Sequence, residues 1–174
     1  MSPDNGAGPR DGAAAQSAEA THAWDDFLRA DIIEEPGVAY AAALLGPDGR
    51  YLHTAAASAG DDGSGYFRQE DAVAALSVRA AARGGPPVTE PFSLSGRRVT
   101  IGPIAGDADL WATPLICERT GLNVGVMGGT PRGYMVVALC HPMSDDIPVP
   151  GVYGAEISTW SVFQSRIGLA LLTA

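Results

Sequence analysis

Apolar positions along the chain switch between helical and strand-like spacing, and the switches divide it into short elements. Trp24, Phe27, Leu28 and Ile32 fall at i, i+3, i+4 and i+8, one apolar stripe on a helix that Thr21 can cap and that runs to about Glu34. The run at 38–45 (VAYAAALL) ends in Gly46-Pro47-Asp48-Gly49, a strong turn signal, and Arg50 to Ala57 reads as the return strand of a β-hairpin. After a polar loop at 58–65, good helix formers from Glu70 to Arg83 predict a second helix, stopped by Gly84-Gly85-Pro86-Pro87. Phe92 to Leu94 and Arg98 to Ile104 read as short strands around a Ser95-Gly96 turn, and Leu110 to Cys117 as a further strand before a Thr120-Gly121 turn. Leu122 to Met127 and Gly133 to Cys140 flank a five-residue loop at 128–132. The prolines of 141–151 forbid a continuous helix there, and from Val152 helical spacing returns at Ile157, Trp160, Phe163, Ile167 and Leu171. The order predicts an α+β domain, a central antiparallel β-sheet with helices packed on its faces.

Composition changes the picture at both ends of the size scale. Of 174 residues, 29 are alanine, 22 glycine and 13 proline, so more than a third of the chain has little side chain to pack. Residues 1–21 hold no large apolar residue after Met1 and are expected to form a disordered tail, leaving 22–174 as a single domain. The formal charge is −9, and all 11 basic residues are arginine. An acidic chain without basic blocks is a poor binder of nucleic acid or of an anionic membrane by bulk charge. No apolar run approaches the ~20 residues that span a bilayer. No charged start leads into an apolar stretch, so neither membrane insertion nor a secretory signal is expected, and the protein is expected in the cytoplasm.

Candidate chemistry is sparse. His22, His53, His141, Cys117 and Cys140 lack metal-ligand spacing, and neighbours such as Cys140 and His141 on a strand point to opposite faces, so no metal or cofactor is expected. A cysteine nucleophile would need His53 brought to Cys117 or Cys140, which nothing in the sequence requires. The glycines of 124–129 lie between strands rather than between a strand and a helix, unlike a phosphate loop. The paired aspartates at 25–26, 61–62 and 145–146 read as solvated turns and helix starts, so the chain is not read as an enzyme. Two features remain. Aromatic residues gather in the first and last helices, where a shallow groove of rings would suit a polyproline-II ligand. Gly96-Arg97-Arg98 holds the one adjacent basic pair, a positive spot that could face an acidic partner.

Several strings, in order, resemble profilins, the small actin-monomer-binding proteins. Ala23-Trp24-Asp25-Asp26-Phe27 is similar to the family's opening, and Ala42 to Gly49 (AALLGPDG) to its first strand and turn. Phe92 to Ile101 (FSLSGRRVTI) resembles the family's paired-glycine strand block, with Arg98 standing where lysine is usual. Gly133 to Leu139 (GYMVVAL) resembles the strand that closes the sheet, and the last helix sits where the family's does. The likeness spans 22–172, and the longer loops at 58–69 and 105–121 are closer to the enlarged profilins of alveolate protists.

What the resemblance implies is a central antiparallel β-sheet with the N- and C-terminal helices on one face and a further helix on the other, in a cytoplasmic, cytoskeletal protein that binds monomeric actin and regulates actin polymerisation, itself a monomer. The implied actin-binding residues are Arg97, Arg98 and Thr100, followed by Gly151, Tyr153 and Gly154 leading into the last helix. The implied polyproline-binding residues are Trp24, Phe27 and Phe163. Leu52, Gln164 and Leu169 replace expected apolar or ring positions, so proline-rich proteins are expected to bind weakly or not at all. The alternative from another class is a non-enzymatic sensory or scaffold module that binds a small molecule or protein, with a pocket between the sheet and the 70–83 helix.

Overall fold

The computed structural model describes residues 23–34 and 39–140. The N-terminal tail, the Thr21 cap, the segment at 141–151 and the helix expected from Val152 lie outside the described residues. So do Gly151, Tyr153, Gly154 and Phe163.

The first element is a helix over 23–34 (α1), which widens to π-helical geometry from Phe27 to Glu34. Eight strands follow in chain order: β1 (Ala39–Leu45), β2 (Tyr51–Ala56), β3 (Phe92–Leu94), β4 (Arg97–Ile101), β5 (Ala105–Gly106), β6 (Trp111–Cys117), β7 (Asn123–Gly129) and β8 (Met135–Cys140). The second helix, α2 (Ala72–Ala82), separates β2 from β3. All the pairings are antiparallel, in the order β2-β1-β8-β7-β6-β4-β3, with β5 beside β6. The last described strand thus inserts between the first and the seventh.

Alternation along β1 and β8 sends successive side chains into two separate cores. Ala42, Leu44, Val136 and Ala138 join Leu28, Ile32 and Ile33 of α1 on one face. Ala41, Ala43, Leu45, Met135, Val137 and Leu139 join Ala72, Ala75 and Val78 of α2 on the other. The two described helices therefore lie on opposite faces, as the resemblance implies. The alanines of β1 are fully buried, and their small side chains let the sheet be covered closely from both sides. The larger groups come from α1, where Leu28, Ile32 and Ile33 each contribute about 1.5–3 kcal/mol on burial. The wider turn of a π-helix brings i, i+4 and i+5 onto one side, which is why Ile33 joins the stripe. Leu94 and Val99, near one end of the strand order, share a cluster with Ala41 and Leu45 near the other end, so the sheet curls around α2's core.

Two boundaries differ from expectation. The strand expected over 98–104 stops at Ile101 and resumes as β5, both pieces lying along β6. Pro103 has no N–H to donate, and Gly102 instead bonds through its own N–H to the Pro114 carbonyl at 2.9 Å. The loop expected at 128–132 shifts along the chain, because Gly128 and Gly129 continue β7 opposite Val136 and Met135.

Candidate protein-docking site

The site begins at the β3–β4 hairpin. Leu94 and Arg97 pair across a two-residue turn in which Ser95 and Gly96 have φ of 52° and 72°. Two successive left-handed residues twist the hairpin in the sense that its strands need. Buried Asp71, at the start of α2, accepts a hydrogen bond from the Ser95 N–H at 3.2 Å and so fixes the turn against the body of the domain. Beyond it, Val99 points into the core, while Arg98 and Thr100 share the opposite side of β4. Arg97 lies on the side of Val99, close enough for its charge to oppose the burial that raises the Tyr40 phenol above its ordinary pKa. Arg97 and Arg98 are both exposed, and Thr100 is half-buried.

A second turn stands beside the first. Cys117 ends β6, and its carbonyl accepts the Gly121 N–H at 2.8 Å while its own N–H donates to the Leu122 carbonyl at 2.8 Å. Register pairs Val99 with Cys117, and the Glu118 N–H donates to the Arg98 carbonyl at 3.0 Å, so the two turns are locked side by side. Arg98 Nε donates to Glu118 Oε2 at 2.8 Å across the surface. Between the turns is an open cleft of about 580 Å³ lined by Gly96, Arg97, Arg98, Cys117, Arg119 and Thr120, with Glu118 and Val124 completing it. Arg97 and Arg119 have no carboxylate partner among the described residues. This end of the sheet is a cationic spot on a chain of net charge −9.

The structure places Arg97, Arg98 and Thr100 along β4, with Arg98 and Thr100 on one side of the strand and Arg97 on the side of Val99. It adds Arg119, which the sequence hides because it is 21 residues from Arg98 and adjacent only through strand pairing. At the other expected site, Trp24 and Phe27 are half-buried, with ring centroids 5.7 Å apart edge to face. A third ring, Tyr134, stacks on Trp24 at 6.4 Å with planes 25° apart. The sequence offers no signal for Tyr134 beyond its place in the stretch Gly133 to Leu139, because helical spacing cannot link it to Trp24. Leu52, where a further ring is expected, is 48% exposed on β2.

The remaining candidates are placed as follows. His53 faces neither cysteine through a hydrogen bond; its Nδ1 lies 3.1 Å from Asp25 Oδ1 and ties β2 to α1. Cys117 and Cys140 do not form a disulfide. Among the described residues no group of three or more His, Cys, Asp or Glu side chains is arranged to hold a metal ion. No helix among them is long and apolar enough to cross a membrane.

No protein-family model and no curated protein matches this sequence. Among solved structures, the fold is similar to the profilin chain in the crystal structure of LokiProfilin1 with rabbit actin. The TM-score is 0.49 and the identity 10%, over 91% of this chain and 97% of that one.

Proposed function

We propose that this chain binds monomeric actin through the β4 end of its sheet, and regulates polymerisation by occupying one side of the free monomer. The contact would combine Arg97, Arg98 and Thr100 with Gly151, Tyr153 and Gly154 of the following segment. The observation that carries this reading is the exposed pair Arg97 and Arg98 on the hairpin 92–101, one of the strings that carry the resemblance to profilins. In a chain this acidic, bulk charge repels an acidic partner, so a local cluster of guanidinium groups decides where such a partner can approach. Bidentate pairing with carboxylates suits arginine, and the contact geometry would differ from one built on lysine. No chemistry is required of the protein in this role; it acts by mass action on the monomer pool.

The groove of rings is proposed as a weak site for proline-rich segments. Trp24 already uses one face on Tyr134 and meets Phe27 edge to face, which leaves less indole free to stack on a ligand. The alternative of a small-molecule module is less well supported, because Ala72, Ala75 and Val78 of α2 sit directly against the sheet at 2%, 1% and 0% exposure. The test is a titration of the purified protein into monomeric actin, following direct binding and polymerisation rate. Saturable binding weakened by Arg98→Glu supports the reading. Absence of binding at tens of micromolar, on the order of −6 kcal/mol, refutes it.

A further inference from the structure

The cleft between the two turns holds a sulfur as well as guanidinium groups. Cys117 is half-buried at the end of β6, on the side of the sheet that carries Val99 and Arg97, and it lines the 580 Å³ cleft together with Arg97 and Arg119. The Thr120 hydroxyl, then the backbone N–H groups of Thr120 and Arg119, donate hydrogen bonds to the sulfur and hold the thiol below its ordinary pKa, helped by the Arg119 charge. A thiolate is the nucleophile in disulfide exchange, and an accessible sulfur in an electropositive setting is the kind that reacts. The volume lies within the range of small-ligand sites, and two of its three arginines lack a carboxylate partner among the described residues.

We infer that this cleft captures glutathione disulfide, whose carboxylates sit on Arg97 and Arg119 while Cys117 forms a mixed disulfide with one glutathione half. The Cys117 thiolate attacks one sulfur of the disulfide. The old S–S bond breaks as the new one forms, and the second half leaves as a thiolate that takes a proton from water. Cys117 is oxidised, and the departing glutathione is the reduced product. The attached half carries negative charge into the cationic spot beside Arg97 and Arg119. Under the actin-binding reading, on which this consequence rests, the adduct switches the docking face off.

The experiment compares two small disulfides of opposite charge, glutathione disulfide and cystamine, on the intact protein at neutral pH. Mass spectrometry follows adduct formation at each cysteine, and each rate is normalised to that of a free thiol in the same solution. The inference expects Cys117 to react ahead of Cys140, and glutathione disulfide to be favoured over cystamine by at least about tenfold. That preference should fall in 1 M salt and in Arg97→Gln with Arg119→Gln, while Cys117→Ser abolishes the fast adduct. A ratio near one, a faster reaction at Cys140, or a preference unmoved by the arginine changes overturns it. Actin binding by the adduct, before and after dithiothreitol, is measured separately. A protein that modifies as expected but never binds actin sinks the functional reading and leaves the cleft chemistry standing.

Discussion

Replacing Gly129 with alanine drives a methyl carbon into the Trp111 indole. The two residues are directly opposed in the β6–β7 ladder, and an added Cβ would lie 2.6 Å from Cζ2 and closer still to Cε2 and Nε1. The indole is 2% exposed and belongs to the core under α2, so it cannot swing into solvent. Overpacking of this kind costs about 1–3 kcal/mol, and a rigid buried ring argues for the upper half of that range. The backbone entropy recovered on removing a strand glycine offsets only about 0.5–1 kcal/mol. A net loss of about 2 kcal/mol would lower Tm by roughly 4–8 °C in a chain of this size. The partner change separates this cause from any other. Trp111→Phe removes the clashing atoms and also an indole N–H that is buried without a hydrogen-bond partner among the described residues. Losing that orphan donor returns about 1–3 kcal/mol and offsets much of the lost ring area, so the single change should stay within about 1 kcal/mol of the parent. In the double variant the alanine should then be tolerated, with a coupling energy of at least about 1.5 kcal/mol in urea unfolding. Additive effects, or a neutral Gly129→Ala, would refute the packing argument.

Burial, and secondarily the Asp71 carboxylate, push the Tyr51 phenol well above its ordinary value of 10.0. A raised folded pKa gives stability that is full below about pH 10 and lost as pH rises beyond it. Alkaline urea titrations should show that loss, and Tyr51→Phe should remove it. The same change should raise stability at neutral pH by about 1 kcal/mol, because the hydroxyl is buried with no partner among the described residues; a destabilised variant would contradict this. Ser95 holds φ at 52° in a turn that favours Asn-Gly, so Ser95→Asn should stabilise by about 0.5 kcal/mol and Ser95→Val should cost about 1–2 kcal/mol, read by thermal unfolding. Equal effects of the two changes would mean that the turn geometry is not the determinant.

The periodic elements could be read from the sequence because their physics is local. Leu28 and Ile32 announced α1, Gly46 to Gly49 announced the first hairpin, and Ser95-Gly96 announced the second, each within a few residues. What stayed hidden depended on pairing across the sheet. The insertion of β8 between β1 and β7 is set by which alanine and valine faces meet, and many registers share that pattern. Trp111 gave no periodic signal of its own, because its place is defined by the bare backbone of Gly129 opposite it. At the docking site, Arg97 and Arg98 stood out as adjacent charges, whereas Arg119 and Cys117 joined them only through the Val99–Cys117 register. Likewise Tyr134 met Trp24 only once the strands were ordered.

Under the proposed function, the guanidinium groups of Arg97 and Arg98 on β4 hold an actin monomer. This is tested most directly by equilibrium binding of labelled monomeric actin to the parent protein and to a variant carrying Arg97→Glu and Arg98→Glu. Both side chains are exposed, and the Arg98–Glu118 pair is a surface ion pair worth about 0–1 kcal/mol, so the variant should keep its fold and Tm. The account predicts one-to-one binding by the parent and a loss of at least about tenfold, or 1.4 kcal/mol, in the variant. Equal affinity for both proteins, or no binding by either, would contradict it.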